Sequence, residues 1–186
     1  MKNLILILVT TCISMVSIVL MNSESTEFAT NSSVEPAENI VVPDNYRNWA
    51  FLGSWAIAHA EEKGSSGMHN VFTESKNIEY YKKNGSFPDG AVIVKELLKA
   101  QTRPMTTGIA SSATEIEGWF VMVKDTQNRY PNNPLWGNGW GWAYFEADSP
   151  NKTVSTNFRV DCLGCHTPVQ NTDWLFIDGY PVLNDK

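Results

Sequence analysis

Phe87-Pro88-Asp89-Gly90-Ala91-Val92-Ile93-Val94-Lys95-Glu96-Leu97 joins a turn to a strand. Proline fixes φ at the turn, and glycine takes backbone angles that other residues avoid. The β-branched run that follows fits pleated backbone, which predicts a strand over Ala91 to Leu98. Alternation puts Ala91, Ile93, Lys95 and Leu97 on one face, and Val92, Val94 and Glu96 on the other. Lys95 therefore shares a face with apolar residues. Most lysines so placed extend the ammonium to solvent. A buried one is driven toward the neutral amine, which is a nucleophile.

Outward from this strand the pattern remains mostly β. Arg47 to Ala58 reads as a strand with Trp49, Phe51 and Trp55 on one parity, and Met68 to Phe72 as a second. Glu74 to Asn84 reads as a helix, with Thr73 or Ser75 as N-cap and Gly85 as stop. Ile116 to Lys124 and Gly141 to Glu146 are further strands, separated by a long Asn-, Pro- and Gly-rich loop from Asp125 to Gly139. The fold class expected is α+β, mainly an antiparallel β-sheet with a few helices. Trp136, Trp140 and Trp142 could wall a cofactor pocket, although core packing is the plainer use of any single tryptophan.

The last expected helix begins near Ser155 or Thr156 and carries Cys162-Leu163-Gly164-Cys165-His166. Cys-x-x-Cys-His is the attachment signature of a c-type haem. Each thiol adds to a vinyl group, and the adjacent histidine ligates the iron. Two other uses stay open. Half of a zinc site would need a second Cys/His pair, and the remaining histidines, His59 and His69, lie far upstream. A redox dithiol would need a βαβ context that the pattern lacks. The motif is C-terminal: 20 residues follow His166 and none is Met. A sixth iron ligand would have to come from upstream, from Met68, Met105 or Met122. An open sixth position favours ligand chemistry over simple electron transfer.

The 186-residue chain carries a formal net charge of −6 and no basic run, so nucleic acid is an unsuitable partner. Lys2 and the apolar stretch from Leu4 to Met21 read as an export signal over 1–23, with an N-terminal membrane anchor as the alternative. Residues 24–42 read as a flexible tether rich in Ser, Thr, Glu, Asn and Ala. Residues 43–186 suffice for one domain with its own core. Of three cysteines, Cys12 falls in the signal and two fall in the haem motif, leaving no pair for a structural disulfide.

Tyr46-Arg47-Asn48-Trp49, the stretch Phe87 to Leu97, the motif Cys162 to His166, Thr172-Asp173, Phe176 and Tyr180-Pro181-Val182-Leu183 together resemble the cytochrome P-460 family, including cytochrome c′-beta. The resemblance spans roughly 43–183. It implies an antiparallel β fold, often dimeric, with one haem c attached through Cys162 and Cys165, His166 as axial ligand and an open distal side. Lys95 falls on the lysine that cross-links to the haem in cytochrome P-460. Those enzymes oxidise hydroxylamine to nitrogen oxides. The cytochromes c′-beta lack the cross-link and bind nitric oxide under an aromatic cap.

One position departs from the enzyme pattern. In Trp119-Phe120-Val121-Met122-Val123-Lys124-Asp125, Phe120 stands where the enzymes carry a distal glutamate. Hydroxylamine oxidation sheds protons, so a positioned base assists it. A phenyl ring accepts no proton but excludes water and favours small uncharged ligands. Glu117 and Glu115 have the wrong strand parity to replace the acid, and His69 reads as a partly exposed strand residue. Two expectations result. One is an exported, periplasmic hydroxylamine oxidase that passes electrons to another exported cytochrome. The other is a nitric oxide binding protein capped by Phe120.

Overall fold

β-branched and aromatic residues at period two build one antiparallel sheet. Its strands are β1 (Ala50–Ile57), β2 (Gly67–Thr73), β3 (Val92–Met105), β4 (Gly108–Lys124), β5 (Trp136–Gly137) and β6 (Trp140–Glu146), in spatial order β1-β2-β3-β4-β6-β5. The structure is a computed structural model that describes residues 39–59, 61 and 63–184. The expected signal or anchor at 1–23, and nearly all of the tether at 24–42, lie outside the described residues. Among the described residues no helix is long and apolar enough to cross a membrane.

The expected α+β class, with its antiparallel sheet and few helices, is the one observed. Several boundaries differ. Arg47 lies in a 3-10 helix, Tyr46–Asn48, and the first strand begins at Ala50. β3 and β4 run well past the apolar stretches that announced them and meet in a tight turn at Thr106 and Thr107. The expected loop after Asp125 contains the two-residue strand β5.

Strand parity divides the core into two layers. One face carries Val71, Ile93, Met122 and Trp142, packed with Leu52, Phe87, Phe158, Leu175 and Tyr180. The other carries Val94, Trp119, Val121, Ala143 and Phe145, covered by Ile40, Tyr46 and Trp136. Each fully buried large apolar side chain contributes roughly 1.5–3 kcal/mol. Both layers are therefore needed to offset the ordering of such long strands.

The first layer is closed by helices. α1 (Ser75–Asn84) ends at Gly85, whose left-handed φ of 69° lets its N–H reach the Tyr81 carbonyl. The N-cap position is Glu74, between the two residues expected there. Thr73 instead faces inward, donating to the Val92 carbonyl at 2.7 Å and accepting from the Asn77 side chain at 2.9 Å. The expected C-terminal helix is present as two short turns, α2 (Phe158–Asp161) and α3 (Leu163–His166), meeting at Cys162. It starts later than Ser155 because Asn157 is the cap, its side chain accepting from the Arg159 N–H at 3.0 Å. The Asp161 carboxylate accepts from the N–H groups of Thr156 and Asn157, which locks the start of this segment.

Candidate functional site

The antiparallel register lays Val71, Lys95, Phe120 and Tyr144 in one row across β2, β3, β4 and β6. The next row holds Ile93, Met122 and Trp142. The C-terminal segment folds back over this face, and between the two lies a cavity. Lys95, Phe120, Val71 and Met122 line its sheet side. Cys162, Cys165, His166, Leu175, Phe176 and Tyr180 line the opposite side.

The residues fit a haem. The walls are largely apolar, and both cysteines are free thiols on one side of the cavity. Burial pushes the Cys162 thiol up to about 11, so it is an uncharged group at neutral pH. His166 Nδ1 lies 2.6 Å from the Trp174 carbonyl oxygen. A carbonyl only accepts, so the proton sits on Nδ1 and the Nε2 lone pair is available to iron. The ring is fixed by edge contacts with Trp142 at 5.0 Å and Phe176 at 5.7 Å. Burial lowers its basicity, which further favours the neutral imidazole.

Facing this motif, Lys95 is half-buried, and burial lowers its pKa against the opposing pull of the two cysteine sulfurs. Its Nζ lies 4.6 Å from the Phe120 ring centroid. The Phe120 ring in turn contacts Tyr144, with centroids 4.6 Å apart. Gly118 makes room for this pair, since a Cβ there would meet the Phe145 carbonyl oxygen at 2.3 Å and the Tyr144 hydroxyl at 2.8 Å.

The cavity thus gathers Lys95, Phe120, Cys162, Cys165 and His166. Trp142 also lines it, whereas Trp136 packs on the other face of the sheet, so the tryptophan cluster is split by parity. Of the three methionines weighed as sixth ligands, Met122 lines the cavity, Met68 has the opposite parity to Val71 on β2, and Met105 is exposed at the hairpin tip. Glu117 is the extra residue of a β-bulge, because Gly118 pairs with Leu97 and Ile116 with Leu98. Both it and Glu115 are exposed, and Glu115 pairs with Lys99 at 3.1 Å. His69 shares the face of Lys95, and burial with the lysine charge lowers its pKa, but it is not part of the cavity wall.

Sequence reasoning missed Asp161 and Trp174. Asp161 is the one carboxylate among the described cavity-lining residues, and its position beside Cys162 was a usable signal. Trp174 acts through its backbone carbonyl, which leaves no mark on the sequence. Among the described residues no group of three or more His, Cys, Asp and Glu side chains gathers as a metal site. The half-zinc-site alternative finds no completing ligands there.

Residues 43–177 match the family model described as Cytochrome P460. Among curated proteins, none matches the chain. The chain belongs to the cytochrome P460 family, and it is a c-type haem cytochrome.

Proposed function

We propose that this member of the cytochrome P460 family oxidises hydroxylamine at a single haem c attached through Cys162 and Cys165. The observation that carries this reading is Lys95, whose amine enters the cavity opposite the cysteines under conditions that favour its neutral form. Haem supplies an iron that binds a small nitrogenous ligand and exchanges electrons with it. His166 would hold the iron through Nε2. Lys95 would present its amine to the haem and tune its electronics. Phe120 and Val71 keep water from the distal space.

The protein is exported, consistent with the apolar segment at 1–23 and with periplasmic haem attachment. It delivers electrons to another exported cytochrome. Exposed Phe51, Trp55 and Ile57 on the edge strand β1 support a homodimer. The test is turnover: protein with full haem loading should reduce an artificial oxidant when hydroxylamine is added. No hydroxylamine-dependent reduction would sink the reading.

A second reading is favoured by Phe120. The described lining has no carboxylate beside Lys95, since Asp161 lies next to Cys162. That space suits nitric oxide, which needs no base. Tight nitric oxide binding without turnover would select this reading.

A further inference from the structure

Asp173 and Trp174 have φ of 58° and 70°. The left-handed region is uncommon outside glycine, and for a residue as bulky as tryptophan it is an outlier. The two residues sit between the haem motif and the end of the chain. Their conformation turns the Trp174 carbonyl onto His166 Nδ1, at 2.6 Å.

The Asp173 carboxylate is held from three separate parts of the fold. Lys124, the last residue of β4, donates to Oδ1, and so does the Trp140 indole N–H at 3.3 Å. The Phe87 N–H, in the turn before β3, donates to Oδ2 at 2.8 Å. The carboxylate and the ammonium are both about 9 % exposed. The Lys124 ammonium also lies 4.7 Å from the Trp140 ring centroid. A buried pair so fully hydrogen-bonded fixes geometry more than it adds stability. The Trp174 N–H donates to the Val169 carbonyl at 3.0 Å, which ties the preceding peptide of the same residue.

We propose that Asp173 is a positioning residue for the axial histidine. Anchored by Lys124, Trp140 and Phe87, it holds the left-handed pair that aims the Trp174 carbonyl at His166. This rests on the reading of His166 as the iron ligand. A firm Nδ1–H bond makes an imidazole a stronger donor to the metal. Asp173 would thereby set the strength of the iron–histidine bond and the reduction potential without touching the haem.

The test is resonance Raman of the iron–histidine stretch in ferrous, fully haem-loaded protein, with a redox titration alongside. Asp173→Ala should move the stretch to lower frequency and the midpoint potential to more positive values. Asp173→Asn should give a smaller shift of the same sign. Asparagine tolerates the left-handed region and still accepts from the Phe87 N–H. If Asp173→Ala does not load haem, the Asn variant decides. An unchanged stretch and potential in a loaded variant that merely melts earlier would overturn the proposal. Absence of any iron–histidine stretch in the wild-type protein would remove the ligand reading itself, a different result.

Discussion

Lys95 and Phe120 are direct partners across β3 and β4, and the lysine Nζ lies 4.6 Å from the ring centroid. One register pair thus places the amine expected of an oxidase beside the apolar cap expected of a gas binder. Both side chains line the cavity that holds Cys162, Cys165 and His166. Substitutions in this row separate the two functions.

Phe120→Ala opens the distal space. Nitric oxide should associate faster, and a tenfold rise corresponds to about 1.4 kcal/mol off the barrier. The substitution supplies no base, so it should create no new turnover. Stopped-flow binding measures the rate, and an unchanged rate would count against Phe120 as the cap.

Gly118→Ala acts on the same row through packing. Its Cβ would meet a backbone oxygen at 2.3 Å, and strand backbone cannot yield freely. Such overpacking destabilises by about 1–3 kcal/mol. Because the displaced ring is Tyr144, which braces Phe120, nitric oxide association should change together with the melting temperature. A melting change without a kinetic one would separate Tyr144 from the cap.

Asp89, in the turn that starts β3, accepts from Arg129 Nη1 at 3.1 Å and from the Thr126 N–H at 2.8 Å. The Arg129 guanidinium, more than the Thr126 bonds, holds the carboxyl down to about 2 from its ordinary 3.8. A depressed carboxyl stabilises the fold above its unfolded value. That contribution is fully present above about pH 4 and is lost as pH falls from 3.8 toward 2. Allowing for its partial exposure, the loss amounts to ~1–2 kcal/mol. Urea titrations between pH 5 and 2 (roughly the span of carboxylate titration) should show a shallower decline for Asp89→Asn than for wild type. Parallel declines would contradict the assignment.

What the sequence reveals follows where side chains carry the information. Ala91 to Leu97 announces its strand because alternation and β-branching agree there, and Cys162 to His166 announces its cofactor because the chemistry needs those atoms. The outer arms of β3 and β4 are polar and largely exposed, so pairing there rests on backbone hydrogen bonds that no periodicity records. Trp136 and Trp142 look alike in sequence, yet they lie in different core layers because the tight β5–β6 connection sets their parity. Asp173 and Trp174 lie in the left-handed region without a glycine to signal it, and the group that meets His166 is a main-chain carbonyl. Their role emerges only when Lys124, Trp140 and Phe87 are brought together in space.

The most direct test of the central claim is the optical spectrum of the reduced protein, recorded for wild type and Lys95→Met with equal haem loading. Lys95 acting on the haem ring predicts a Soret band strongly red-shifted in wild type and returned to an ordinary c-type position in the variant. The same ordinary c-type band in both proteins would contradict it.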